Sequence, residues 1–217
     1  MPYQAYDLDD LKLKMEDRWD STPFWDDKEA QNAINEALKV WNSMTGFWKT
    51  RDLVTVVAGT TLYELPGSIV FGFRVEYQSR QLTPTSTFEM DGAYPGWEVH
   101  TGSAPQKWMP IDLSTIQIYP IPTIGGGSLT VDGIAATPQL IYDVDHIQMG
   151  SDGLNAIVGY ALHAVALKEG GARFDATMKY FQEFLAAAAV LNDQLTKSEM
   201  FRHFMKVDTK REEQPTV

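Results

Sequence analysis

The residues able to do chemistry are few and scattered. The four histidines are His100, His146, His163 and His203, and no two share the spacing of a metal-ligand set. His163 follows Leu162 in a helical pattern, where a packed or surface imidazole is the expected role. The densest polar group is IYDVDH, Ile141 to His146. Its alternating carboxylates, Asp143 and Asp145, could face Ca²⁺, but the stretch lacks the remaining oxygen ligands and the glycine of an EF-hand. A solvated loop ahead of a helix is the stronger reading. Gly125, Gly126 and Gly127 are not followed by Lys-Ser or Lys-Thr, and the next segment reads as a strand. No helix N-terminus would face a phosphate there, so a hairpin turn is expected. There is no G-x-S-x-G elbow and no H-E-x-x-H helix, and with no cysteine there is neither a thiol nucleophile nor a thiolate metal site. A carboxylate pair for glycoside hydrolysis needs only closeness in space, and nothing in the sequence favours one. The expectation is a protein with no catalytic residue, no metal ligand and no cofactor.

Two tryptophans are the remaining chemical hint. Trp97 and Trp108 lie in a Pro/Gly-rich stretch, where aromatic platforms stack on sugars. Large aromatics also cover the ends of sheets or fill subunit interfaces, and that reading is favoured. Both residues therefore stand as a possible interface or glycan platform.

The elements that would position these residues are easier to read. Thr22 to Arg51 is organised around one helix, with Asp26 and Glu29 as a capping box and Gly46 as the stop. Ala30, Ala33, Ile34, Ala37, Leu38, Trp41 and Met44 recur at three- and four-residue spacing and make one apolar stripe. Aromatics bracket it: Phe24 and Trp25 before, Phe47 and Trp48 after. Ahead of it, Leu8, Leu11, Met15 and Trp19 predict a short amphipathic helix. The period then changes. Residues 52–65 are rich in Val, Thr and Tyr around Ala58-Gly59, which predicts a hairpin. Residues 70–78, 106–111, 115–119 and 128–134 read as strands, with a helical turn at Thr85 to Asp91. No proline occurs between Pro138 and Pro215, and two helices are predicted there. The first is capped by Ser151 or Asp152, carries Leu154, Ile157, Val158, Ala161, Leu162, Val165 and Ala166, and ends at Gly170-Gly171. The second runs from about Phe174 through Phe181, Phe184, Leu185, Ala188, Leu191 and Leu195.

Composition sets the class. At 217 residues, 44% hydrophobic and 22% charged, the chain is an ordinary globular one. A net charge of −11 argues against tight DNA or RNA binding, which needs a basic surface. Up to Glu29 there are nine acidic against four basic residues. No long uncharged apolar run is present to cross a membrane, and MPYQAYDLDDLK has no leader pattern, so the cytosol of the producing cell is the expected compartment. The expected fold is α+β: a helical bundle formed by N- and C-terminal helices (1–51 and 151–205), with an inserted antiparallel β unit (52–150) and a flexible C-terminal tail (206–217).

Several of these pieces line up with one family. TPFWDDKEAQNAINEALKVWNSMTGFWKTR resembles the N-terminal helix signature of head-to-tail adaptor (connector) proteins of tailed bacteriophages. VTVVAGTTLYELP, then PGW at Pro95 to Trp97, then APQKWMPIDLSTIQIYPIP, and last the helix pair around ALHAVALKEGGARF continue the order over about residues 20–205. The resemblance implies a non-enzymatic virion protein at the head-tail junction, assembled in the host cytoplasm. It implies a homo-oligomeric ring, usually dodecameric, that contacts the portal protein and a tail hub or nozzle protein. Double-stranded DNA would pass through without specific binding, with no membrane involved. It also implies portal docking by the C-terminal segment, where Met200, Phe201, Phe204 and Met205 would anchor, with Lys210 and Arg211 in the polar end. A rival from another class is a carbohydrate-binding module of a phage tail component.

Overall fold

The computed structural model describes residues 4–19 and 21–197. In chain order these form strand β1 (Gln4–Asp7), helix α1 (Leu8–Asp17), helix α2 (Asp27–Thr45), β2 (Lys49–Thr55), β3 (Leu62–Glu64), β4 (Ile69–Tyr77), β5 (Arg80–Gln81) and β6 (Thr83–Pro84). Helix α3 (Thr87–Ala93) and a 3-10 turn at Trp97–Val99 follow, then β7 (Thr101–Gly102), β8 (Lys107–Pro110), β9 (Thr115–Tyr119), β10 (Ile121–Pro122) and β11 (Ser128–Ala135). The last elements are β12 (His146–Met149), α4 (Ser151–Glu169) and α5 (Gly171–Lys197). The protein is thus mixed α+β, with five α-helices and mainly antiparallel sheets among the described residues. The described residues form two compact units, one of residues 48–136 and one of the described residues before 48 and after 136.

The helical unit follows from its apolar stripes. At the start of α2, the Asp26 carboxylate accepts from the Glu29 amide at 2.8 Å and the Glu29 carboxylate accepts from the Asp26 amide at 3.0 Å. Gly46 ends the helix in the left-handed region, at φ 59° and ψ 36°, which glycine adopts without a Cβ penalty. Ala30, Ala33, Ile34, Ala37, Leu38 and Trp41 are buried as the stripe requires, while Met44 is exposed. Every expected apolar position of α4 is buried as well. Its N-cap is the backbone of Gly150 rather than the side chain of Ser151 or Asp152. Phe184 of α5 meets Trp41 of α2 and Tyr160 of α4 edge-on or tilted, with ring centroids 5.6 and 4.7 Å away. Strand β1 pairs antiparallel with β12, from Gln4 opposite Met149 to Asp7 opposite His146.

The other unit packs two four-stranded sheets over one core. Their strand orders are β2-β11-β4-β5 and β3-β9-β8-β6. Val75, Leu129 and Val131 of the first sheet and Tyr63, Trp108, Ile116 and Ile118 of the second belong to the same buried cluster. The β4-β5 hairpin turns through Gln78 and Ser79, at φ 48° and 65°, the left-handed pair that a two-residue hairpin requires. At Gly133 the β4-β11 register shifts, and a Cβ there would lie 2.5 Å from Ile69 Cγ2 and 2.7 Å from the Phe71 carbonyl oxygen.

Two local expectations are corrected. The hairpin over 52–65 does not form: β2 pairs with β11 and β3 with β9, in different sheets. Ala58-Gly59 is a turn, with Gly59 at φ 78°, but it carries the chain between sheets instead of folding it back. The three glycines 125–127 close no hairpin either, since β9 and β11 also lie in different sheets. Strand propensity and turn chemistry are local, whereas the choice of partner depends on which faces are buried.

Candidate interaction surfaces

The IYDVDH stretch is a fixed loop. Asp145 Oδ2 accepts from the amides of Ile141 and Tyr142 at 2.7 and 2.9 Å. Those two bonds, the Tyr142 one foremost, hold the Asp145 carboxyl below its ordinary pKa. Gln31 Nε2 donates to the carbonyls of Leu140 and Ile141, and Asn35 both donates to and accepts from the Leu140 backbone. Lys12, buried on α1, donates to Asp27 and to Asp143, the latter at 2.8 Å. Burial alone would lower the Lys12 pKa, but its bonds and charge contacts with Asp143 and Asp27 more than offset this and raise it. The carboxylates are thus spent on holding the backbone and on Lys12. Ile141, Tyr142 and Val144 are left pointing into solvent, Tyr142 at 69% and Val144 at 80% exposure. An ordered loop presenting apolar side chains can contact a partner with little ordering entropy to lose. The sequence held a signal for this: three large apolar residues interleaved with aspartates in a stretch read only as polar.

The histidines lie apart. His163 stacks between Phe174 and Phe181, at 4.5 and 5.2 Å, with Nδ1 3.0 Å from Thr177 Oγ1. Burial pushes its pKa below the usual value. His100 meets the Tyr119 hydroxyl, and His146 is exposed on β12. His203 lies outside the described residues. No group of three or more His, Asp or Glu converges on a metal-sized site among the described residues. A cleft lined by Arg18, Trp19, Arg173, Lys179 and Tyr180 gathers positive charge, but that charge is engaged locally. Arg18 donates to Asn155, Arg173 pairs with Glu169 and lies over Trp19, and Lys179 lies over Tyr180.

Trp97 and Trp108 do not form a platform. They are 6% and 4% exposed, so neither ring face is open to a sugar or to a neighbouring subunit. Trp108 fills the core between the sheets, while Trp97 packs with Met90 and Met109 and donates its Nε1 hydrogen to Asp91 at 2.8 Å. The apolar bulk of both rings is worth more in these cores than on the surface. Met200, Phe201, Phe204, Met205, Lys210 and Arg211 lie outside the described residues. No described helix is long and apolar enough to cross a membrane.

A family model described as SU10 adaptor protein matches residues 6–204 of the chain. Curated proteins yield no match.

Proposed function

Since the chain belongs to the SU10 adaptor protein family, we propose that it is a ring-forming structural protein of the virion that joins the portal to the tail and extends the DNA channel. The family is one of structural phage adaptors, not of enzymes. The single observation that carries the reading is the extent of the match, which runs through both compact units and includes Met200, Phe201 and Phe204. In this reading the N- and C-terminal helices form a bundle into which the β unit is inserted in sequence. Residues 198–217 dock on the portal through Met200, Phe201, Phe204 and Met205, with Lys210 and Arg211 adding charge contacts. The subunits close head to tail into a ring, most simply of twelve, because each presents two different complementary faces. The ring sits at the head-tail junction, is assembled in the host cytoplasm, and meets a tail hub or nozzle protein on its other side. A charge of −11 per subunit lets double-stranded DNA pass without being gripped, repulsion reaching about 8 Å at physiological salt.

The test is mass measurement and electron microscopy of the chain mixed with the portal protein of the same virion. A ring on the portal is expected. Removal of residues 198–217 should leave a folded monomer that no longer binds. Virions carrying that truncation with tails attached normally would rule out the docking role. A chain that never associates with the portal would rule out the adaptor.

A further inference from the structure

The end of α1 and the first turns of α5 border the cleft of about 230 Å³ that gathers positive charge. Its lining is rich in hydrogen-bond donors and holds no carboxylate. The local contacts of the three cations set them in place, but they neutralise only one. Arg173 pairs with Glu169. Arg18 donates to the carbonyl and side-chain oxygens of Asn155, which carry no charge. Lys179 has the ring of Tyr180 and no ion pair among the described residues. Elsewhere in this acidic chain Lys12, Arg51 and Lys168 each meet a carboxylate. Two uncompensated charges at one cleft are therefore a departure from the pattern of the molecule.

Trp19 supplies a second and independent sign. Its indole Nε1–H is buried and has no acceptor among the described residues. Such a donor has lost water without gaining a partner, and native structures leave few of them. Trp19 is a wall of the cleft, so the missing acceptor and the missing negative charge belong to the same place. The ring is held there by Phe24 and Trp25, at 5.5 and 5.0 Å between centroids, and by the Arg173 guanidinium 5.7 Å from it. A donor fixed in this way loses little freedom when an acceptor arrives.

We propose that this cleft binds a carboxylate side chain carried by an acidic segment of a partner protein. The carboxylate accepts from the Trp19 Nε1–H and takes Arg18 and Lys179 as its counter-charges, the kind of charge-assisted contact that is stronger than a neutral one. The walls choose the source of the anion. Trp19, Tyr180 and Ala176 make part of the lining apolar, which suits the hydrocarbon stem of Asp or Glu and an apolar neighbour on the same segment. A bare phosphate ion, hydrated on every side, gains nothing from those walls. The inference rests on the lining residues alone and stands apart from the adaptor reading.

The full-length protein with isotopically labelled nitrogen is followed by NMR during titration with the peptide acetyl-Ala-Leu-Glu-Glu-Leu-Ala-amide. The same peptide with Gln for Glu, and sodium phosphate, are the comparison arms. The indole N–H signal of Trp19, assigned by its loss in Trp19→Phe, should move saturably with the acidic peptide, at a Kd of about a millimolar or tighter, and stay in place with the Gln peptide. Arg18→Gln and Lys179→Gln should each weaken binding by about tenfold. The melting temperature of Lys179→Gln should be nearly unchanged, since that side chain lies only over Tyr180, and this variant guards against a folding defect in Arg18→Gln. A Trp19 signal that ignores the acidic peptide, an equal response to the Gln peptide, or full affinity in both variants overturns the proposal. Phosphate that binds as tightly as the acidic peptide makes the cleft a site for free anions and overturns the peptide occupant. Each of these failures leaves the ring and its portal contact untouched.

Discussion

Helix α5 leads directly into the segment proposed to dock, so its hold on the helical unit can be tested at one residue. Phe184 is completely buried and lies against Trp41 of α2 and Tyr160 of α4. Phe184→Ala removes a buried ring and two aromatic contacts, which should cost about 4 kcal/mol. Domains of this kind are stable by about 5–15 kcal/mol, so the loss is a large part of the whole. At about 2–4 °C per kcal/mol for a chain of this size, melting should fall by about 8–16 °C. The next residue is the control. Leu185 is partly exposed, and Leu185→Ala should cost less than about 1 kcal/mol. Urea unfolding followed by tryptophan fluorescence and far-ultraviolet circular dichroism measures both, and an unchanged urea dependence would show that only stability has moved. Equal costs at the two positions, or a cost under about 1 kcal/mol at Phe184, would mean that α5 does not pack on α2 and α4 through this face.

Three further outcomes follow from particular contacts. The depressed pKa of His163 means that the unfolded chain binds more protons here from about pH 6.5 downward. Its contribution to stability is therefore lost as pH falls below about 6.5, and urea midpoints should fall less steeply with falling pH in His163→Gln than in wild type. Gly133→Ala forces a Cβ against the Phe71 carbonyl and Ile69, and should cost about 1–3 kcal/mol by thermal melting, where the same change at open Gly67 should cost little. Lys12→Met keeps the buried stem and frees two largely exposed carboxylates, so it should change stability by less than about 1 kcal/mol. Lys12→Ala should cost clearly more in the same urea measurement, because the packed stem is lost as well.

The helices were legible because their signals are local and repeated. A capping box, a 3.6-residue stripe and a terminal glycine all concern neighbours within one element, and α2 carries all three. Helix α4 carries the stripe and the terminal glycine but no side-chain cap, and at the start of α3 both capping-box bonds form between Ser86 and Glu89. Strand pairing was not legible. Nothing in residues 4–7 marks them as a strand, because β1 exists only by pairing with β12 well over a hundred residues later. Ala58-Gly59 offers a turn in either topology, and only the packing of Val54 and Val56 on one side of the shared core with Tyr63 of the second sheet decides which strand lies beside which. Trp97 and Trp108 show the same limit for the candidate site: a tryptophan in a Pro/Gly-rich stretch reads alike whether its ring is stacked in a core or open to a ligand.

By itself the sequence determined the composition class, the ends and inward faces of the helices, the want of any recognisable catalytic motif, and the resemblance to a phage adaptor. Those depend on residue type and short spacing, which the chain carries wherever it goes. The tertiary structure alone decided that the aspartates of Ile141 to His146 turn inward to hold the backbone and Lys12, leaving apolar side chains outside. It also decided that the two tryptophans are interior and that Arg18 and Lys179, distant in the chain, line one cleft. Each of these turns on which distant segment occupies the other side of a side chain or a strand, and burial and hydrogen bonding between distant segments are settled only when the chain is folded.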